Sequence, residues 1–384
     1  MHIAFYSSLV TDGHPTSGFE VANEAIVSRL RALGHWVSVI GFSIPRQREI
    51  RDPDAHVIDT VSMENADATV GTKAWWLARA ILKRQPISSS KLTGTRRETL
   101  ESLTERLGPF DAAIINSYQM AAAFPHLMDT PFGFIAHNVE HLSAAGNARS
   151  GTNSLSRYLY GRDARLLERL ETDICRRADI VWGLSTDDLQ TLGLEPTKGV
   201  FLPLAPPNAA EVLGKPNFVY DVGLIGTWTW EPNRVGLQWF LEQVVPQLEP
   251  GTKVAVAGTV PSEMMQGRHD VEFLGRVPSA SEFLNSIRAV PLVSRGGTGV
   301  QLKTIEALQA GLACVATSSS LRGVSDLPDN CFRADETEDF ARILKNMIAE
   351  SRAGSLGRTD GAHFSTNQCL AMDSALRKGL ERLA

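Results

Sequence analysis

The chain has 384 residues, enough for two or three domains of ordinary size. With 43% hydrophobic and 21% charged residues, its composition excludes a disordered or collagen-like chain. A formal net charge of -5, from 38 basic and 43 acidic side chains, argues against a general nucleic-acid-binding protein. The four cysteines lie far apart without a CxxC pair, so they predict neither a disulfide framework nor a thiolate metal site. A reducing cytoplasm fits them best.

The N-terminus, MHIAFYSSLV, carries no basic segment before its short apolar stretch, so we expect no cleaved signal peptide. Elsewhere in the sequence no stretch reaches the roughly 18 uninterrupted apolar residues of a transmembrane helix. Any contact with a membrane is therefore expected to be peripheral.

The first forty residues predict a strand, a helix and a second strand. An apolar run over 2–7 precedes a turn-rich loop, an amphipathic stretch over 20–33 and another apolar run over 36–40. Further short apolar runs occur between periodic helical stretches, at 111–116, 132–136 and 180–184. Strands that alternate with helices predict an α/β fold with a parallel, doubly wound sheet.

A proline-rich stretch over 201–218 has no helical or strand period and is typical of an interdomain linker. The alternation of strands and helices restarts after it, so we predict Rossmann-like domains over 1–205 and 206–366. For the last amphipathic segment, 367–384, packing against the first domain is one option. Because ligands of such folds bind at the carboxyl ends of the strands, the site is expected in the cleft between the two domains.

The most informative stretch is RGGTGVQLKTIEALQAG, residues 295–311, which follows a predicted strand and leads into a predicted helix. Its glycines allow backbone N–H groups to approach an anion, and the positive end of the helix dipole favours a phosphate there. Glu306, within the first two turns of that helix, is placed to accept hydrogen bonds from a ribose diol. From the residues alone, a glycine-rich turn with a solvated lysine and glutamate is the alternative.

The run GGTGVQLKTIEALQAGLACVATSSSLRGV resembles the nucleotide-sugar signature of retaining GT-B glycosyltransferases, the large bacterial family 4 or group 1. The resemblance extends to PTSGFEV after the first strand, to the pair His137-Asn138, and to GTWTWEPNRVGLQWF at the start of the second domain. It implies GT-B architecture. It also implies transfer of a sugar from a nucleotide-diphosphate donor to an acceptor hydroxyl with retention, in polysaccharide or glycolipid assembly.

The resemblance further implies which residues form the site. It assigns Ser17 and Gly18 to a loop that faces the sugar diphosphate, His137 to the position that approaches the transferred sugar, and Glu306 to the ribose. The remaining predicted donor-binding positions are Gly226, Arg234, Arg276, Val277, Thr298, Gly299 and Val300.

The sequence departs from the family pattern at two points. Thr298 stands where many members carry a second glutamate, and Arg234 is alone where many carry an arginine and a lysine. We therefore predict Lys303 and Arg295 as the catalytic cations that stabilise the leaving diphosphate, with no metal or other cofactor required. These departures leave open a catalytically silent subunit that binds a nucleotide sugar, and a nucleotide-sugar epimerase on the same fold is a further alternative.

Residues 137–141 read H-N-V-E-H, the inverted pattern of some zinc peptidases. In such enzymes the motif lies inside a helix, whereas a strand is predicted directly before His137. We therefore predict no metal site. A purely structural role is the other alternative for His137 and the default for His141.

The segment 73–97 has seven basic residues and no acidic one, with aromatic and aliphatic residues between them. Basic residues beside an aromatic face predict a helix that lies on an anionic membrane surface, with Trp75, Trp76, Lys83 and Arg84 as contacts. The resemblance favours this interpretation, because many such transferases use lipid-linked acceptors at the cytoplasmic face. The alternative is a helix that packs its tryptophans inward.

Overall fold

The computed structural model describes residues 1–15, 17–45, 47–62, 69–92, 97–151, 153–206, 216–229 and 231–383. Its contacts divide the chain into two compact units. The first comprises Met1–Pro207, Thr298–Val300 and Leu370–Ala384, and the second comprises Asn208–Gly297 and Gln301–Cys369. Half of the predicted linker, residues 207–215, and Trp230 lie outside the described residues.

The first unit is built on a seven-stranded parallel sheet with the order β3-β2-β1-β4-β5-β6-β7. Its elements are β1 (His2–Ser7), α1 (Gly18–Ala32), β2 (Trp36–Ser43), β3 (Ala55–Thr60), α2 (Val70–Leu82), α3 (Ile87–Ser90), α4 (Arg97–Leu107), β4 (Ala112–Ile115), α5 (Tyr118–Ala123), β5 (Gly133–Ala136), α6 (Glu140–Ser150), α7 (Ser154–Arg177), β6 (Ile180–Gly183), α8 (Thr186–Thr191) and β7 (Gly199–Phe201).

The second unit is built on a six-stranded sheet with the order β10-β9-β8-β11-β12-β13, also parallel. Its elements are β8 (Tyr220–Thr227), α9 (Glu231–Trp239), β9 (Val254–Thr259), α10 (Ser262–Met265), β10 (Val271–Gly275), α11 (Ala280–Asn285), β11 (Ile287–Leu292), α12 (Leu302–Gln309), β12 (Cys314–Ala316), β13 (Cys331–Arg333), α13 (Thr337–Ala353) and α14 (Gly361–Leu380), the last of which continues into the first unit.

Local sequence explains where α1 begins and ends. Ser17 caps its first turn, since Glu20 N–H donates to Ser17 Oγ at 3.3 Å and Ser17 N–H donates to Glu20 Oε2 at 2.9 Å. Gly34, with φ 88°, then reverses the chain into β2. Between these signals the helix buries Ala25, Ile26 and others. It connects β1 to β2, which are parallel neighbours in the sheet.

Both sheets are central and largely apolar. In the first, β1 lies between β2 and β4, with Ile3 opposite Val37 on one side and Ala112 on the other. In the second, β8 and β9 run in register, and Val222 and Leu224 are fully buried. The α/β class with two doubly wound parallel sheets is confirmed. In such sheets the loops after neighbouring strands meet at one edge, which is where ligands bind.

Three predicted elements differ from the structure. The helix expected over 73–97 is divided, because Arg84 has a left-handed φ of 52° and Pro86 directly precedes α3. The α-helix expected over 232–248 ends at Trp239. The chain continues as a π turn, Phe240–Val244, and then as a 3₁₀ turn, Val245–Gln247, which contains Pro246. The last helix begins at 361, six residues before the expected start.

The end of the chain packs within the first unit. Trp182 Nε1–H of β6 donates to the Ala375 carbonyl at 2.9 Å, and Arg29 of α1 forms an ion pair with Asp373. A Cβ at Gly379 would lie only 2.1 Å from the Trp182 ring, so the close packing of α14 against β6 requires a glycine at this position. Within the described ranges, no helix combines the length and apolar character needed to cross a bilayer.

Candidate functional site

A pocket of about 280 Å³ lies in the second unit, at the carboxyl ends of β8 and β11. Its apolar wall comes from Leu224 and Ile225 of β8 and from the end of β11. Its polar lining comes mainly from Asn233, Ser294, Gln301, Lys303, Thr304, Glu306 and Ser320. An apolar wall that faces a few polar groups is typical of small-molecule sites.

The glycine-rich loop between β11 and α12 has the backbone that the sequence predicts. Gly296 and Gly297 have φ values of 102° and 87°, which residues with a Cβ rarely adopt. The loop ends at Gln301, whose backbone N–H donates to the Arg322 carbonyl at 3.1 Å and whose side chain does not cap the helix. Because Gln301 itself lines the pocket, α12 begins at the pocket.

Lys303 and Glu306 lie three residues apart on α12, so their side chains share one face. Both line the pocket and remain accessible from it. Desolvation in this concavity lowers the pKa of Lys303, and Glu306 partly opposes that shift. Desolvation likewise raises the pKa of Glu306, and Lys303 partly opposes it. The pocket thus holds a cation and a carboxylate that a polar ligand would help to keep charged.

Trp228 and Gly226 determine the space around Lys303. Trp228 is buried, its indole N–H donates to the Ala257 carbonyl at 2.9 Å, and its ring centroid is 5.9 Å from Lys303 Nζ. A Cβ at Gly226 would lie 3.0 Å from Lys303 Nζ and from the Trp228 ring. The absence of a side chain at 226 therefore leaves room for the ammonium group. The sequence contains no signal for Trp228 as a pocket wall beyond its place after β8.

The structure separates Arg295 from Lys303. The Arg295 guanidinium donates to the Asp335 carbonyl at 3.2 Å and lies 4.4 Å from the Trp239 ring centroid. Arg295 does not line the pocket. Sequence spacing could not reveal this, because it does not specify the direction of a side chain that leaves a loop. Lys303 is therefore the predicted cation that the structure places in the pocket.

Three further predicted donor positions do not line the pocket. Arg276 is exposed in the bend after β10, and Val277 follows it half-buried. In this part of the chain the lining comes instead from Ala280 and Leu284 of α11. Arg234 is half-buried in α9, whose Asn233 lines the pocket and donates to the Thr227 carbonyl at 3.0 Å.

In the first unit His137 follows directly after β5. Its Nε2 is 2.8 Å from Asn116 Oδ1, and its ring centroid is 4.7 Å from that of Phe19 in α1. Burial lowers the pKa of His137 to about 4, so the ring is neutral near pH 7. Ser17 and Gly18 lie exposed at the start of the same helix, where the Ser17 side chain is engaged in the cap with Glu20. The sequence contains no motif for Asn116.

The H-N-V-E-H motif does not form a metal site in this fold. His137 lies before α6, which begins at Glu140, and His141 Nδ1–H donates to Glu171 at 2.7 Å. Glu171 also accepts the backbone N–H groups of Glu140 at 2.7 Å and His141 at 3.1 Å, in place of a side-chain cap. Burial raises the pKa of Glu140 to about 7. In the part of the chain that the structure describes, no group of three His, Cys, Asp or Glu could hold a metal ion.

The predicted donor positions Thr298, Gly299 and Val300 belong to the first unit. The Gly299 backbone N–H donates to the buried Asp188 carboxylate at 2.7 Å, and Thr298 Oγ1 is 3.1 Å from Ser143 Oγ. A Cβ at Gly299, where φ is 78°, would lie 2.1 Å from Asn138 Oδ1. Glycine is therefore required at 299 by both backbone conformation and space. Sequence reasoning missed Asp188, which no motif marks.

The two tryptophans of α2 have different environments. Trp76 is buried, and Lys91 Nζ lies 4.9 Å from its ring centroid. Trp76 is therefore a core residue, which corrects the expectation that it faces a membrane. Trp75 is 62% exposed. Lys83 caps the end of α2 and Arg84 follows it, both exposed.

The fold of this chain is similar to that of several solved structures. The structure is similar to sucrose-phosphate synthase from Thermosynechococcus elongatus, with a TM-score of 0.59 and 13% identity over 99% of this chain and 96% of that chain. It is similar to Anabaena Alr3699/HepE in complex with UDP, with a TM-score of 0.58 and 14% identity over 99% of this chain and 100% of that chain. It is also similar to the catalytic domain of starch synthase IV from Arabidopsis thaliana bound to ADP and acarbose, with a TM-score of 0.58 and 12% identity over 100% and 99%. These similarities confirm the GT-B fold.

The family follows from the second unit. Residues 220–350 match the family model described as Glycosyl transferases group 1. This part of the chain, which contains the pocket, matches the group 1 family, and the resemblance of the glycine-rich run to group 1 glycosyltransferases is confirmed. No curated protein sequence matches the chain.

Proposed function

We propose that the chain transfers a sugar from a nucleotide-diphosphate donor to an acceptor hydroxyl, with retention of configuration. One observation carries the proposal. Lys303 and Glu306 lie side by side in the pocket at the carboxyl ends of β8 and β11, within the region that matches the family model. A cation there suits a diphosphate, and a neighbouring carboxylate suits the hydroxyls of a ribose.

The chemistry requires that negative charge on the leaving diphosphate be stabilised. As the bond from the anomeric carbon to the diphosphate oxygen breaks, the acceptor oxygen bonds to the same face of that carbon. The acceptor proton passes to the departing diphosphate oxygen. Lys303 provides a positive charge in a concave, partly desolvated pocket, where it acts more strongly than in bulk water. In this proposal neither a protein nucleophile nor a metal cofactor takes part.

The choice of donors to test follows from the fold neighbours. HepE was solved with UDP, and the starch synthase IV domain with ADP and acarbose. We propose a nucleoside diphosphate sugar as donor and a saccharide or lipid-linked saccharide as acceptor. Polysaccharide or glycolipid assembly in the cytoplasm is the corresponding cellular role.

The proposal is tested by incubating the protein with UDP-glucose, GDP-mannose or ADP-glucose and measuring nucleoside diphosphate release, without acceptor and with a panel of saccharides. We expect release from one donor and, by proton NMR, a product with the anomeric configuration of that donor. An inverted product would contradict retention. Binding without release would favour a silent subunit, and an epimerised donor would favour an epimerase.

We also propose that α2 touches an anionic membrane surface. Val70, Trp75 and Leu82 are 84%, 62% and 84% exposed, and the cations Lys73 and Lys83 are exposed beside them. Exposed apolar side chains next to basic ones favour adsorption to an anionic bilayer. Such contact would bring a lipid-linked acceptor to the protein.

The double variant Lys83→Glu/Arg84→Glu tests this surface. Wild-type protein should float with phosphatidylglycerol vesicles, less so as salt rises, and hardly with phosphatidylcholine vesicles, because each cation contributes up to about 1 kcal/mol near anionic lipid. The double variant should lose that binding while donor hydrolysis is unchanged. Arg333→Glu with Arg342→Glu, which makes the same charge change on exposed residues of the second unit, is the control. Equal flotation of wild type and Lys83/Arg84 variant would mean that α2 is only a solvated helix.

A further inference from the structure

A buried chain of hydrogen bonds leads from the end of β1 to His137. The Asn23 side chain in α1 donates through Nδ2 to the Leu9 carbonyl at 3.2 Å and to Ser7 Oγ at 3.0 Å. Asn116, directly after β4, donates through Nδ2 to Asn23 Oδ1 at 2.5 Å. Asn116 Oδ1 in turn lies 2.8 Å from His137 Nε2.

The direction of every bond follows from the first one. The Leu9 carbonyl can only accept, so Asn23 turns its Nδ2 toward Leu9 and its Oδ1 toward Asn116. Asn116 then has to present its Nδ2 to Asn23, which leaves its Oδ1 facing the imidazole. An amide oxygen cannot donate, so the hydrogen between Asn116 and His137 must be on His137 Nε2.

Burial makes this arrangement hard to reverse. Asn116 is fully buried and Asn23 nearly so. A flipped amide would set two oxygens or two N–H groups against each other without water, which costs a large part of a buried hydrogen bond. Because the His137 ring is neutral, it has one donor and one acceptor. With Nε2 as the donor, Nδ1 is the acceptor, and no group in the described ranges bonds to it.

We propose that Asn116 is a positioning residue that holds His137 as the Nε2–H tautomer, so that Nδ1 remains as an acceptor for a hydroxyl group of a substrate. That a substrate hydroxyl binds to Nδ1 rests on the function proposed above, whereas the tautomer rests only on the hydrogen bonds of the first unit. The hydrogen bonds of the two asparagine side chains would therefore make Nδ1 of His137 a hydrogen-bond acceptor. His137 would then recognise a substrate group that donates a hydrogen bond.

The tautomer is measured by NMR of protein labelled with ¹⁵N at histidine, because a protonated and an unprotonated ring nitrogen differ widely in chemical shift. We expect wild-type His137, assigned by comparison with His137→Ala, to carry its proton on Nε2 at pH 7. Asn116→Ala should raise the Nδ1–H form to a comparable population. Asn330→Ala removes another buried amide, one that bonds to backbone carbonyls in the second unit, and should leave the His137 signals unchanged. A wild-type ring protonated on Nδ1 would overturn the inference.

The consequence for the reaction is measured with a double-mutant cycle on donor turnover. His137→Ala should lower kcat/KM by about tenfold, as expected for one lost hydrogen bond, and Asn116→Ala by several-fold. In the His137→Ala background, Asn116→Ala should have no further effect, because Asn116 acts through the ring. Additive losses would contradict a positioning role. Absence of turnover by the wild-type protein with every sugar nucleotide would contradict the proposed function but not the tautomer seen by NMR.

Discussion

Lys303→Met should lower kcat by a factor of about 10² to 10³, the usual effect of removing a fixed electrostatic group from developing negative charge. The effect should fall on turnover more than on donor affinity, because charge on the diphosphate grows as the anomeric bond breaks. Steady-state measurement of nucleoside diphosphate release over a range of donor concentrations gives both kcat and KM.

Lys253→Met is the matched control, since this lysine is exposed at the amino end of β9, away from the pocket. Arg295→Met separates two accounts of the site. The sequence predicts Arg295 as a second catalytic cation, whereas its contacts with Asp335 and Trp239 lead us to expect a smaller loss than at Lys303. A near wild-type kcat for Lys303→Met would remove this lysine from the mechanism, and Arg234 would be the next residue to test.

Glu306→Ala should weaken nucleoside diphosphate binding by about 10- to 150-fold. This range corresponds to roughly 1.5 to 3 kcal/mol for a hydrogen bond between a charged carboxylate and a ribose hydroxyl. Isothermal titration calorimetry with the nucleoside diphosphate measures the change, and Glu263→Ala, on the exposed surface of α10, is the control. Unchanged affinity in a folded Glu306→Ala protein would show that the ribose is bound elsewhere.

The same titration has an expected pH dependence. Because the pKa of Glu306 is raised, its carboxylate protonates at a higher pH than an ordinary glutamate, and affinity should fall as the pH decreases through that value. Because the pKa of Lys303 is lowered, its charge is lost earlier on the alkaline side, and affinity should also fall there. Glu306→Ala should abolish the acid limb. A wild-type acid limb that persists in this variant would have to come from another group.

The sequence predicts the central strands well because they are buried on both faces. β1 and β6, for example, read as short apolar runs between turn residues, and their observed bounds agree with the expected ones to within a residue. The edge strand β3, AHVIDT, carries polar residues and contains no such run. The division between α2 and α3 was missed since the apolar and basic pattern continues past Arg84, whose left-handed backbone depends on the tertiary structure.

The candidate site was predictable where one segment forms it. The glycine loop and α12 are contiguous in sequence, so their backbone needs and their lysine and glutamate could be recognised together. Groups from distant segments could not be. Asn23 and Asn116 meet only because β1 and β4 are neighbours in the sheet. Likewise, nothing in the sequence indicates that Arg295 turns toward Trp239 rather than toward Lys303.

The central claim, that the pocket of the second unit binds a nucleoside diphosphate, is tested most directly by thermal unfolding with UDP, GDP and ADP. One of the three should stabilise the wild-type protein by about 2.7 kcal/mol at a hundredfold excess over its dissociation constant. The same concentration should stabilise Glu306→Ala much less. If none of the three changes the free energy of unfolding of the wild-type protein at millimolar concentration, the pocket is not a nucleoside diphosphate site and the proposed reaction is contradicted.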